Sequence, residues 1–215
     1  PIALHFLGVL LFQLGNNEEA KALISRALDI APDYADAHYN LGKVHHEMGD
    51  VDKAISSYKA ALKHDASSPE SYNRLGLALE QKGCQEEAVT SYEAALQFDP
   101  GFLDALNNLG NLLRMLEKPQ DAIEKFKLAI DIDSMFLEAH HNLGNVYQDM
   151  FMFGEAIKCY ERALSIDPNF EESQKNLGSC LLGNGEHRRG LRYLRKSCGV
   201  IEFTLGSKAG CQIKN

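Results

Sequence analysis

The apolar and polar positions of this chain recur with a period of 34 residues, without insertion or deletion. Leu-Gly returns at Leu7-Gly8, Leu41-Gly42, Leu75-Gly76, Leu109-Gly110, Leu143-Gly144 and Leu177-Gly178. Ala20, Ala54, Ala88, Ala122 and Ala156, then Gly190, keep the same step, as do Ala27, Ala61, Ala95, Ala129 and Ala163, then Ser197. Self-similarity at this period predicts helix-turn-helix units stacked into a solenoid. Two helices approach closely only where the side chain at the crossing is small. Gly at place 8 of the period and Ala at places 20 and 27 supply the crossings. Large residues fill the remaining volume, above all Ile24, Tyr58, Tyr92, Phe126, Tyr160 and Leu194 at place 24.

The predicted units are residues 1–34, 35–68, 69–102, 103–136, 137–170 and 171–204, with a tail at 205–215. Gly15, Gly49 and Gly83 end first helices as glycines just past the C-cap do. The second helix of the first unit is expected over Asn17 to Ile30, stopped by Pro32. Ser68-Pro69 reads as an N-cap followed by proline at the first helical place. In the fourth and fifth units the stop glycine becomes Glu117 and Phe151, and Pro119 preserves the fourth turn. The last unit departs from the pattern. Its second helix is expected to end near Cys198, Gly199 to Phe203 to extend over that helix as a cap, and Ser207 to Asn215 to lack regular structure.

With places 4, 7, 8, 11, 20, 24, 27 and 32 carrying the signature, the sequence resembles the tetratricopeptide repeat family over residues 1–204. The resemblance implies an all-α, right-handed solenoid superhelix of six repeats, and a protein that binds other proteins. It further implies that the first helix of each pair lines an inner, concave face through places 2, 5, 6, 9, 12 and 13.

Those places are rich in carboxamides. The candidate groove residues are Asn40, Arg74, Asn107, Asn108, Asn111, His141, Asn142, Asn145 and Gln148. Asparagine is a mediocre helix former, so its recurrence inside helices requires a reason. Its amide offers two donors and an acceptor, which match the N–H and C=O of an extended peptide. The ladder is similar to the one lining the repeat superhelix of eukaryotic O-linked N-acetylglucosamine transferase, and so implies binding of extended protein segments. In the alternative reading, the place-6 asparagines bond to the neighbouring repeat. The two roles can coexist. The family's clamp for chaperone C-terminal carboxylates matches only at Asn40 and Arg74. His5, Val9 and Glu70 depart from it, which argues against that ligand. Acidic residues at place 2, namely Asp36, Glu70, Asp104, Glu138 and Glu172, suit the positive end of a helix dipole and form a rim attractive to basic segments.

A second candidate surface is apolar. The first helix presents Ile2, Phe6, Val9 and Phe12, and the fifth turn reads Met150-Phe151-Met152-Phe153. A helix apolar all round is normally buried, so either preceding residues cover it or another molecule does. Phe6, Phe12, Met150, Phe151, Met152 and Phe153 are the candidate patch for a partner or for self-association. The alternative for the turn is that its side chains fold back on the helix ends.

The net charge of −8 on 215 residues argues against nucleic acid or an acidic membrane as partner. Residues 187–215 are nevertheless basic, with a face of Arg188, Arg192, Arg195 and Lys196 that reads as solvated. Five cysteines, none in C-x-x-C spacing, point to free thiols in a reducing, cytoplasmic setting. His38 and His45 occupy core-facing places, and no metal, phosphate-loop or nucleophile motif is present. No cofactor, metal or catalysis is expected. The sequence reads as a non-catalytic interaction scaffold. The alternatives are the substrate-recruiting repeats of a larger glycosyltransferase or oxygenase, and a self-assembling scaffold.

Overall fold

The computed structural model describes residues 1–198, 201–204 and 210–213. Among them the chain forms twelve α-helices in six consecutive pairs. These are α1 (Ile2–Gln13) and α2 (Asn17–Ile30), α3 (Ala35–Glu47) and α4 (Val51–His64), α5 (Pro69–Lys82) and α6 (Gln85–Phe98). They continue with α7 (Leu103–Met115) and α8 (Pro119–Ile132), α9 (Leu137–Asp149) and α10 (Phe153–Ile166), α11 (Glu171–Gly183) and α12 (His187–Cys198). The chain divides into two compact units, Pro1–Leu109 and Gly110–Asn215, and the division falls inside α7.

In each unit a helix packs on its hairpin partner and on the helix that follows. In the first unit α2 meets α3 and α4 meets α5, and the first helices α1, α3 and α5 also touch in succession. In the second unit α8 meets α9 and α10 meets α11, while α9 touches α11. The fold is thus an all-α helical repeat, as the 34-residue period predicts.

Size complementarity inside each pair holds the stack together. A Cβ added at Gly42, Gly76 or Gly144 would lie 2.6 Å from the ring of Tyr58, Tyr92 or Tyr160, and one at Gly110 would lie 2.7 Å from Phe126. Real Cβ atoms do not approach that closely, so only glycine allows the ring to lie flat on the facing helix. Those four rings are at most 1% exposed. Ala20, Ala54, Ala88, Ala122 and Ala156 are fully buried beside them. At the ends of the series Ile24 and Leu194 stand in for the ring, against Gly8 and Gly178.

The turns follow the sequence closely. Gly15, Gly49, Gly83 and Gly185 have φ of 81°, 80°, 86° and 84°. Glu117 and Phe151 adopt the same left-handed conformation, with φ of 58°. Phe151 N–H donates to Gln148 O at 2.9 Å and Met152 N–H to Tyr147 O at 2.8 Å, which is the bonding Gly49 and Asp50 make to His46 and His45. A side chain in this conformation costs on the order of 1 kcal/mol. Ser68 caps α5 as expected, its hydroxyl accepting the Ser71 N–H at 3.1 Å.

The C-terminal segment differs from expectation in one respect. Extended structure does follow α12, as β1 (Ile201–Thr204), but β1 pairs antiparallel with β2 (Gly210–Ile213), which lies in the stretch read as a tail. Pairing satisfies backbone groups that a lone extended segment would leave to water. The rest of the tail, and the expected capping of α12 by side chains of 199–203, lie outside what the structure describes.

Candidate functional site

The candidate carboxamides stand on successive first helices, and the structure shows what holds them there. In the first unit Asn40 donates to His5 Nε2 at 2.9 Å and to Asp36 O at 3.0 Å. One repeat pair further on, Asn108 donates to Asn73 Oδ1 at 3.0 Å. Both bonds run from place 6 of one repeat to place 5 of the repeat before it. In the second unit the bond shifts: Asn176 Nδ2 donates to Asn145 Oδ1 at 2.9 Å, from place 6 to place 9.

Asn145 is a hub. Its oxygen also accepts from the Tyr160 hydroxyl at 2.8 Å, and its nitrogen faces Asn142 Oδ1 at 3.4 Å. Gln148 offers Tyr160 a second acceptor at 2.9 Å and takes the Cys180 thiol at 3.3 Å. His141 Nδ1 pairs with Ser173 Oγ at 2.8 Å, its ring edge-on to Phe170.

The bond to the neighbouring repeat therefore holds for Asn40, Asn108 and Asn145. One correction follows at place 5. His5 and Asn73 are 3% and 4% exposed, so this place does not belong to the open face there; it is the acceptor for the next repeat's asparagine. Asn107, Asn108, Asn111, Asn142, Asn145 and Gln148 are half-buried, as are Arg74 and His141. The Asn108 amide has two N–H groups and two lone pairs, so its sideways bond leaves bonding capacity, whereas the side-chain oxygens of Asn145 and Gln148 each already accept two bonds. Asn176, whose bond completes the second-unit network, was missed as a site residue although it continues the place-6 series.

The candidate apolar patch divides. Phe6, Phe151 and Met152 are 62%, 79% and 43% exposed. Phe12 and Phe153 are packing residues instead. Phe12 joins the cluster of Ala20, Ile24, Ala37 and Val44. Phe153 packs with Ile157, Tyr160, Leu177 and Leu181, its ring filling the space over Gly183, where a Cβ would lie 2.9 Å away. Met150 is half-buried and lines a recess of about 510 Å³ with Met115 and Pro119.

Half-buried polar edges thus lie over a repeated aromatic core, and the comparisons with known proteins identify the repeat. Models of the tetratricopeptide repeat match residues 1–67, 47–102, 91–124 and 137–170. The chain belongs to the tetratricopeptide repeat family. Members of this family typically mediate protein–protein interactions and are generally non-catalytic. No curated protein matches the chain by sequence. Among solved structures, PilF of Pseudomonas aeruginosa shares 23% identity at a TM-score of 0.79, over 90% of each chain. A MamA protein shares 28% identity at a TM-score of 0.68, over 76% of this chain and 89% of its own. YrrB, described as a tetratricopeptide repeat protein with an unusual peptide-binding site, shares 22% identity at a TM-score of 0.66, over 81% of this chain and 90% of its own.

The titratable groups of this tetratricopeptide repeat array serve packing. Burial pushes the Cys159 and Cys180 thiols up to about 11, so both are protonated at neutral pH and poor nucleophiles. His38 bonds Pro32 O at 2.8 Å and stacks on His64, while His45 is buried, so the two imidazoles have separate surroundings. On the basic last helix, Arg189 pairs with Glu161 at 2.6 Å and with Glu186. No helix among the described residues is long and apolar enough to cross a membrane.

Burial also holds His5, His45 and His141 below the usual imidazole value of 6.5. Protonating His5 at Nε2 would in addition forfeit the Asn40 bond. Since the unfolded chain then binds more protons than the folded one, stability is complete above about pH 6.5 and falls as pH drops through that value. The urea midpoint is expected to decline between pH 7.5 and 5, before the carboxylates held low at Asp50, Asp65 and Glu186 titrate. His45→Gln should flatten the slope; a midpoint constant over this range would refute the assignment.

Proposed function

We propose that this chain is a non-catalytic scaffold that holds an extended segment of a partner protein along the first helices of one of its units. One observation carries the reading: carboxamides recur at the same places on successive first helices, steadied by bonds to their neighbours. Asn108 to Asn73 and Asn176 to Asn145 are such bonds. An amide already fixed in orientation loses less entropy on binding than a free side chain, so weak contacts add up to useful affinity. An extended peptide presents a donor and an acceptor at each residue, and a row of amides meets both without selecting a side chain.

The test uses a randomised pool of twelve-residue peptides, capped at both ends, captured by the full chain. The pool should yield bound peptides whose capture falls at least about tenfold for Asn111→Ala with Asn142→Ala, a loss of roughly 1.4 kcal/mol. Asn145 is left in place because Tyr160 and Asn176 depend on it. The thermal melt should move little. Equal capture by the variant, or no capture by the unaltered chain, would remove this function.

A further inference from the structure

At one point on the first helices the facing groups of successive repeats repel each other. In the second unit, place 9 of one repeat and place 6 of the next are Asn145 and Asn176, and their amides bond at 2.9 Å. Between the second and third repeats, in the first unit, the same two places are Lys43 and Arg74. Two cations cannot bond to one another. Burial, and then repulsion from Arg74, hold the Lys43 ammonium below the ordinary value of 10.5. Lys43 Nζ instead lies 5.6 Å from the Phe12 ring centre and 5.7 Å from that of Tyr39, both within cation–π range. Both residues are half-buried, and among the described residues neither is in an ion pair.

Ion-paired cations elsewhere in the fold, such as Lys53, Lys82 and Arg189, face acids; Lys43 instead faces two rings and Arg74. We infer that Lys43 and Arg74 form an anchoring point for one acidic side chain, Asp or Glu, of the bound segment. The carboxylate takes the bridging role that an amide plays between Asn145 and Asn176, and it neutralises the repulsion between the two cations. Its two oxygens suit the Arg74 guanidinium, while the ammonium of Lys43 contributes a charge-assisted bond. The aromatic wall of Phe12 and Tyr39 excludes water on one side, which strengthens the contact. Toward the N-termini of the same helices, Asp36 and Glu70 line a recess of about 180 Å³ that shares Tyr39. Their negative charge disfavours a dianion or an acidic run, so the site selects a single carboxylate followed by neutral or basic residues.

This inference rests on the proposed peptide-binding function, and its test separates the two. The same capped twelve-residue pool is selected with the full chain and with Lys43→Asn plus Arg74→Asn, which installs the amide pair of the second unit. Capping both ends leaves side chains as the only carboxylates. Peptides held by the unaltered chain should be enriched in Asp or Glu at one position. Changing that residue to Asn or Gln should weaken binding roughly tenfold or more, the scale of a charge-assisted bond. The double variant should fold normally and capture peptides more weakly, with no such preference. If peptides are captured without an acidic preference, or the preference survives in the double variant, the anchoring point is wrong and the scaffold function stands. If the unaltered chain captures nothing, both fall.

Discussion

Replacing Tyr92 by alanine is expected to lower the free energy of unfolding by about 3–5 kcal/mol, the range for deleting a buried aromatic ring. Tyr92 is 0% exposed and rests on Gly76, where a Cβ would lie 2.6 Å from its ring. Its hydroxyl donates to Glu80 at 3.0 Å, so the change also removes a charge-assisted bond. The hole it leaves is walled by α5 and α6, whose backbones are fixed by hairpin and neighbour contacts and cannot collapse into it. The complementary change, Gly76→Ala, crowds the same contact from the other side and should cost about 1–3 kcal/mol. Both are read from urea denaturation followed by helical ellipticity. A Tyr92→Ala loss below about 1 kcal/mol would mean the aromatic–glycine contact does not hold the repeat together.

The second large effect is expected at the Tyr160 hydroxyl. Asn145→Ala with Gln148→Ala removes both of its acceptors, at 2.8 and 2.9 Å, while the ring stays fully buried. An unsatisfied buried hydroxyl costs about 1–3 kcal/mol, and loss of the Asn176 bond adds roughly 1 kcal/mol. Either single change should be milder, because the hydroxyl rotates to the acceptor that remains. In a Tyr160→Phe background the double change should lose most of its cost, since nothing is left to strand. A double-mutant cycle on thermal or urea unfolding gives the coupling. Additive energies would show that the hydroxyl is not what ties these amides to the stack.

The aromatic–glycine pairing was legible in the sequence because both partners repeat with the same period: Gly76 and Tyr92 recur as Gly144 and Tyr160. The bonding of the carboxamides was only half legible. The series of Asn40, Asn108, Asn142 and Asn176 marks a shared face, but which atom meets which depends on the residues at the facing places. Asn108 reaches Asn73 at place 5, where place 9 is Leu77, and Asn176 reaches Asn145 at place 9, where His141 at place 5 pairs with Ser173. His5 and Asn73 are buried, although the period alone places them on the open face. Phe153 was misassigned for a different reason. Its packing needs the absent side chain of Gly183, thirty residues away, and no repeated pattern links them. Glu117 and Phe151 were read correctly as turn residues because their neighbours kept the helix boundaries.

Those two turns bear on the order in which the protein assembles. The α1–α2, α3–α4, α5–α6 and α11–α12 hairpins close on glycines that adopt the required conformation freely. The α7–α8 and α9–α10 hairpins close on Glu117 and Phe151, against the local preference of the chain. Their bends are therefore imposed by completed packing and do not form ahead of it. Nucleation is expected at the glycine-closed hairpins, with α7–α8 and α9–α10 following.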